Sequence, residues 1–128
     1  MKVLLGTHIW LWALHAPSPL NPRVRAELSN PANELWLSPV STWEALLLNA
    51  RGRIRLTVNL AEWLAQATAP MLEAPFTHEI VLAAQQLPLP HRDPADRFLA
   101  ATAQVMDLRL VTSDDHLLRL GTIRTMKN

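Results

Sequence analysis

Short apolar runs of β type alternate with helical segments along this chain, and that alternation constrains the fold more than any other feature. Residues 2–5 (KVLL), 34–38 (ELWLS) and 108–112 (LRLVT) have the pattern of buried strands, and 71–75 (MLEAP) of a shorter one. The last such stretch is 122–125 (TIRT). Strands that are separated by helices form parallel sheets. The sequence therefore predicts an α/β fold with a central parallel sheet of four to five strands and helices on both faces. The predicted helices cover residues 7–15, 22–29, 41–51, 60–69, 78–86 and 94–106. Asn21, Asn59, Thr77 and Asp93 are the predicted caps of the helices that begin at 22, 60, 78 and 94.

Composition narrows the class of protein. Apolar residues make up 49% of the 128 residues, which suits one domain over 1–128 with a single core. Cysteine is absent, so disulfides, thiolate zinc sites and cysteine nucleophiles are excluded, and a reducing cytoplasm is the expected location. No apolar run reaches the length of a membrane span. The net charge of +1 gives no global attraction to nucleic acid.

Five acidic residues are predicted to lie where ligands bind in such a fold: Glu44, Asp93, Asp96, Asp114 and Asp115. Each follows a predicted strand or begins a predicted helix, and these places converge at the carboxyl ends of parallel strands. Clustered carboxylates repel, since two unit charges about 4 Å apart cost roughly 4 kcal/mol at an effective dielectric near 20. Such a cluster needs a cation, and oxygen ligands favour Mg²⁺ or Mn²⁺. These ions hold phosphate oxygens and activate water for phosphodiester hydrolysis.

Each acid also has a structural interpretation that the residues alone leave open. The segment from Ser41 to Glu44 has the pattern of a capping box, in which the glutamate reaches back to the serine amide. Asp93 is placed to cap the helix that follows it, and Asp96 would suit the dipole of the same helix. Asp114 can cap a turn. Only the convergence of three distant segments favours a shared site.

Four segments together resemble the PIN domains of VapC-type toxins over nearly the full chain. In order, they are KVLLGTHIWLWAL, SPVSTWEALLLNARGRIRL, LPLPHRDPADRFLAATA and LRLVTSDDHL. The resemblance implies a Mg²⁺- or Mn²⁺-dependent ribonuclease, in which Glu44, Asp96 and Asp114 match the second, third and fourth acids of the family. Asp93 and Asp115 are additional acids nearby, and each either binds metal through water or caps a helix.

Gly6 is the main departure from the family pattern, because the resemblance calls for aspartate at this position. A glycine after a strand can permit a tight turn, but the family makes this turn with aspartate, so geometry is not expected to require glycine. Two explanations stay open: deliberate replacement that makes a toxic nuclease tolerable to its host, or a natural, weakened copy. We expect a ribonuclease inactivated or weakened by Gly6. A non-catalytic scaffold that binds an antitoxin or RNA is the alternative.

Several basic and polar residues are candidates for substrate contact. Arg92 and Arg97 flank the third acid and are predicted to contact RNA phosphates. Thr112 ends a predicted strand, where its hydroxyl either holds a ligand or water, or is simply part of a β-branched packing residue. The basic run over residues 51–55 is either a further phosphate contact or an edge strand protected by charge.

Two observations predict that the chain binds other proteins: its tryptophans and its resemblance to the family. Trp10 and Trp12 are two residues apart on a predicted helix and cannot both face one core surface, so one is a candidate for an interface. The resemblance implies a homodimer and a small VapB-type antitoxin whose tail occupies the acidic groove.

Overall fold

Five parallel strands form one sheet within residues 1–57, 59–90 and 93–128, the part of the chain that this computed structural model describes. The strands are β1 (Lys2–Leu5), β2 (Glu34–Leu37), β3 (Leu72–Glu73), β4 (Arg109–Thr112) and β5 (Arg124–Lys127). The helices are α1 (Thr7–His15), α2 (Pro22–Ser29), α3 (Pro39–Ala50), α4 (Leu60–Thr68), α5 (His78–Gln86), α6 (Pro94–Met106) and α7 (Asp115–Leu118). The predicted α/β fold with a parallel central sheet is confirmed.

The strand order is β3-β2-β1-β4-β5, so β1 lies at the centre of the sheet. Leu4 of β1 is in register with Trp36 of β2 on one side and with Leu110 of β4 on the other. The chain adds β2 and β3 outward from β1, and then returns to add β4 and β5 on the opposite side. The connections therefore diverge between β1 and β4, which opens a crevice at the carboxyl ends of these two strands.

Both faces of the sheet are covered by helices. Leu4 and Leu110 belong to a core cluster that includes residues of α5, α6 and α7. Val3, Leu5 and Val111 belong to a second cluster, with residues of α1, α2 and α4. Successive strand residues thus enter opposite clusters, as the two-residue repeat of a strand requires. Because both faces are buried, β1 and β4 are apolar nearly throughout.

Most helices begin at the predicted capping residues. The side chains of Asn21, Asn59, Thr77 and Asp93 accept hydrogen bonds from backbone amides in the first turns of α2, α4, α5 and α6. The predicted start of α3 is wrong. That helix begins at Pro39, after a cap in which Ser38 Oγ accepts from the amide of Val40 at 3.0 Å.

Two further predictions are corrected by the backbone. The run over 51–55 leaves α3 as an irregular segment, so the edge-strand interpretation is wrong. The last segment pairs with β4 over Arg124–Lys127, two residues later than the predicted terminal stretch at 122–125. In the part of the chain that the structure describes, every helix is too short or too polar to span a lipid bilayer.

Candidate active site

A cavity of about 360 Å³ lies at the carboxyl ends of β1 and β4. Its walls come from the start of α1, the second turn of α3, the start of α6 and the segment between β4 and α7. Four of the five predicted acids line it: Glu44, Asp93, Asp96 and Asp114. Asp115, the first residue of α7, is exposed and is not among the residues that line the cavity. The structure thus brings acids from three distant segments to one place.

Glu44 is held by a contact with another helix. The hydroxyl of Thr7, the first residue of α1, donates to Glu44 Oε1. Thr7 Oγ1 also lies 2.9 Å from Oγ of the buried Ser41. A threonine hydroxyl has a single proton to donate. Because Thr7 donates it in the hydrogen bond to the Glu44 carboxylate, Ser41 is the donor in the contact with Thr7. The predicted capping box is therefore wrong, because Ser41 lies inside α3 and Glu44 is oriented from α1.

Asp93 and Asp114 both cap helices. Asp93 Oδ1 accepts from the amide of Ala95 at 3.0 Å. Asp114 Oδ1 accepts from the amides of His116 and Leu117 at 2.8 and 3.1 Å. The structural interpretation of both residues is therefore correct. A carboxylate has two oxygens and about four acceptor sites, so capping through Oδ1 is compatible with binding a ligand.

Asp96 and Thr112 complete the polar walls. Asp96 is half-buried in the first turn of α6 and faces the same cavity as the cap of that helix, Asp93. Thr112 is buried at the end of β4, and its hydroxyl accepts from the amide of Asp114 at 3.1 Å. Thr112 therefore fixes the backbone that carries Asp114, as well as facing the cavity.

Gly6 has an ordinary backbone but very little space. Its φ of −61° and ψ of 154° are accessible to any residue. However, a Cβ at this position would lie 2.8 Å from the carbonyl oxygen of Val111, to which the Gly6 amide donates at 3.0 Å. The expectation that geometry does not favour glycine is not met by this backbone, in which β1 and β4 would have to shift apart to admit a side chain. Gly6 lines the cavity without contributing a ligand.

The predicted phosphate contact by Arg97 is not placed in the cavity. The guanidinium of Arg97 donates to the carbonyl oxygens of Ala84, Leu87 and Leu89 at 2.8, 3.2 and 2.9 Å. This group ties α6 to the end of α5 and lies outside the lining of the acidic cavity. Arg92 falls outside the described residues. Among the residues that the structure describes, no lysine or arginine lines the cavity.

Two aromatic residues in the cavity wall were not predicted as site residues. His8 and Trp12 both line it, with ring centroids 5.8 Å apart and planes tilted by 57°. Trp10 is the buried one of the two neighbouring tryptophans, and its Nε1 donates to the carbonyl of Ala67 at 3.2 Å. The signal in the sequence was the spacing of four between His8 and Trp12, which places both on one side of α1.

The four carboxylates of the cavity are suitable ligands for a divalent cation, but their present positions are not those of a formed metal site. Four carboxylates around one cavity are the hard oxygen donors that Mg²⁺ and Mn²⁺ prefer. Within the described ranges, however, no three His, Asp or Glu side chains are grouped closely enough to hold a metal ion. A cation would therefore require these carboxylates to rotate towards each other, with no acid at position 6 to help.

Comparisons with known proteins agree with the fold. The sequence model of the family described as PIN domain matches residues 3–123. Ribonuclease VapC22 of Mycobacterium tuberculosis is 32% identical over 116 residues, which cover 90% of this chain and 88% of that protein.

Two solved structures resemble the chain over nearly its full length. A DNA-bound VapBC from Salmonella typhimurium has a TM-score of 0.74 at 16% identity and covers 99% of this chain and 98% of its own. VapBC2 from Rickettsia felis, bound to a DNA fragment from its promoter, has a TM-score of 0.72 at 18% identity, with the same coverages of 99% and 98%. At these identities the structural likeness concerns the fold alone.

Proposed function

Since this chain belongs to the PIN-domain family, we propose that it is an endoribonuclease toxin of the VapC type, dependent on Mg²⁺ or Mn²⁺ and weakened by Gly6. The observation that carries this proposal is the gathering of four carboxylates from three distant segments around one cavity. The cavity lies at the carboxyl ends of β1 and β4, the usual place for a ligand in an open parallel sheet. The identity with a protein named as a ribonuclease supports the proposed reaction class.

The chemistry is assigned to named groups of this chain. Glu44, Asp96 and Asp114 would hold the cation, with Asp93 beside them. The cation, when bound, lowers the pKa of water and offsets negative charge on the phosphate. Hydrolysis forms a bond from the water oxygen to phosphorus and breaks the bond to the leaving oxygen, which takes up a proton.

Several neutral groups keep the acids in place during this reaction. Thr7 holds Glu44 through its hydroxyl, and this hydrogen bond links α1 to α3 at the carboxylate. Thr112 fixes the amide of Asp114. With glycine instead of aspartate at position 6, the site has one negative charge and one metal ligand fewer. We therefore expect weak cation binding and slow hydrolysis.

We further propose a VapB-type antitoxin and a second copy of the chain as partners, in the cytoplasm. Solved structures that share the fold are VapBC complexes. The surface that supports self-association carries Trp43, Phe76 and Leu82, which are 59%, 44% and 61% exposed. Trp43 and Phe76 line one groove and Leu82 lines another, and Phe98 is part of the wall of both. Exposed aromatic and aliphatic side chains of this size are typical of protein interfaces.

A non-catalytic scaffold is the second candidate function. It is favoured by two observations: the described acids do not form a three-ligand group, and a side chain at position 6 would require the backbone around Val111 to shift. A scaffold of this kind would bind an antitoxin or RNA through the same cavity without cleaving.

The deciding experiment compares RNA cleavage by this chain with cleavage by its Gly6→Asp variant, each with Mn²⁺ and with EDTA. We expect little or no cleavage by the parent and Mn²⁺-dependent cleavage by Gly6→Asp. Gly6→Ala is the matched control, because it adds the same Cβ without a carboxylate and is expected to stay inactive. Absence of RNA cleavage by a folded Gly6→Asp variant would overturn the nuclease proposal and favour the scaffold.

A further inference from the structure

The acidic cavity poses an electrostatic problem for an RNA ligand. RNA is a polyanion, and proteins ordinarily hold its phosphates with lysine and arginine. The walls carry four carboxylates, and no lysine or arginine lines them in the described part of the chain. A bound cation would neutralise part of this charge but would hold only the phosphate beside it. From the residues that the structure describes, affinity for the rest of a nucleotide would come from uncharged contacts.

One wall of the cavity can supply such contacts. His8 and Trp12 come from successive turns of α1, on the side of the cavity formed by the start of that helix. Their ring planes are tilted by 57°, so the two rings do not stack on one another. Beside them the apolar side chains of Ile9 and Leu99 also face the cavity. A site for a hydrated ion alone would have no use for this apolar and aromatic lining.

The packing of α1 separates the role of Trp12 from that of Trp10. Trp10 is 1% exposed, and its indole N–H is satisfied by the carbonyl of Ala67. Trp10 also packs against Trp63, with ring centroids 5.6 Å apart. Trp12 is only half-buried and borders the cavity. The core therefore uses Trp10 fully, whereas Trp12 presents part of its ring to whatever enters the cavity.

From this arrangement we propose that Trp12, together with His8, forms a stacking surface for a nucleobase of single-stranded RNA, next to the carboxylates that act on the phosphate. The inference rests on the proposed nuclease function and adds a substrate-binding subsite to it. Every base has a π face, so stacking gives affinity without reading a particular sequence. It also needs no positive side chain, which matches the composition of these walls.

The test measures binding of two probes in Mg²⁺ by fluorescence anisotropy. One probe is a 12-nucleotide oligoadenylate, and the other is an abasic phosphodiester of the same length with tetrahydrofuran in place of each nucleoside. Trp12→Leu keeps apolar bulk but removes the aromatic face, whereas Trp12→Phe keeps a face. Trp36→Leu is the matched control, because Trp36 is half-buried like Trp12 but does not line the cavity.

Trp12→Leu is expected to weaken oligoadenylate binding by about 5- to 150-fold, the range that loss of one stacked base gives. Trp12→Phe should bind nearly as well as the parent, but without the parent's quenching of tryptophan fluorescence. Trp36→Leu should bind like the parent. The abasic probe should bind weakly and equally to the parent and Trp12→Leu.

Two results would overturn the inference in distinguishable ways. If the parent binds both probes equally and Trp12→Leu changes nothing while thermal unfolding shows it folded, stacking is absent but the nuclease proposal survives. If the folded parent binds neither probe and the Gly6→Asp variant neither binds nor cleaves RNA, the stacking surface falls together with the proposed function.

Discussion

The hydroxyl of Thr7 donates to the carboxylate of Glu44, and this hydrogen bond joins the first turn of α1 to the second turn of α3. Ser41 extends the contact from inside α3, with its Oγ 2.9 Å from Thr7 Oγ1. The only acid of the site that does not lie at a helix start is thus oriented by a neighbouring helix. Among the described residues, this contact fixes the direction of Glu44 towards the cavity.

Thr7→Val should destabilise the fold and weaken the site together. The valine has nearly the same shape but no hydroxyl, so Ser41 and Glu44 lose a partner in a largely buried place. We expect the free energy of unfolding to fall by about 1–3 kcal/mol, the cost of leaving a buried polar group unsatisfied. Urea titration measures this change. Thr7→Ser keeps the hydroxyl and should retain most of the stability, so a Thr7→Val variant as stable as Thr7→Ser would show that the hydroxyl contributes little.

Asp114→Asn separates helix capping from cation binding. Asparagine caps helices about as well as aspartate, so the free energy of unfolding should change by less than about 0.5 kcal/mol. The charge is lost, however, and Mn²⁺ affinity should fall by about tenfold or more, since even an outer partner of a metal ligand has that effect. Calorimetric titration with Mn²⁺ in the Gly6→Asp background checks this. Asp115→Asn is the control, and an equal loss of affinity there would point to general surface charge.

The space at Gly6 predicts a stability cost for any side chain. Gly6→Ala and Gly6→Asp should each lower the free energy of unfolding by about 1–3 kcal/mol, the usual cost of overpacking. The two losses should be similar, because both variants add the Cβ that meets the Val111 carbonyl at 2.8 Å. Gly121→Ala is the control, since a Cβ there meets nothing within 4 Å. A Gly6→Ala variant as stable as the parent would contradict the close approach of β1 and β4.

Arg97 is expected to stabilise the fold without acting on RNA. Its guanidinium satisfies three carbonyl oxygens between the end of α5 and Leu89. Arg97→Met keeps the apolar stem but loses these charged donors, and the free energy of unfolding should fall by about 2–3 kcal/mol. RNA binding by the folded variant should match the parent. Weaker RNA binding at unchanged stability would restore the original prediction of a phosphate contact.

Much of the fold could be predicted because local signals agreed with tertiary packing. Residues Asn21, Thr77 and Asp93 cap the helices where the sequence predicted, and β1 and β4 are apolar because both their faces are buried. The start of α3 was missed because Ser38-Pro39 and Ser41 both offer capping signals, and the sequence alone does not rank them. Helix α7 has only four residues, too few for a periodic pattern.

The topology was enough to predict that the acids converge, but not which neighbouring residues they contact. Parallel connections bring strand ends to one edge, and this placed Glu44, Asp96 and Asp114 near each other. Arg97 follows Asp96 in sequence, yet one residue along a helix turns the side chain by about 100°, which points Arg97 to α5 instead of the cavity. The crowding at Gly6 depends on how closely two strands pack, a distance that no local pattern encodes.

Because the Val111 carbonyl lies so close to Gly6, a change from glycine to aspartate at position 6 should be harder to select than the reverse change. Loss of an acid at this position requires one codon change, and with glycine there β1 and β4 can pack closely. Regain of the acid requires the same codon change and, in addition, a small separation of β1 from β4. On the proposed function, selection for RNA cleavage should therefore recover second-site substitutions around Val111 alongside an aspartate at position 6, whereas selection against cleavage would need none.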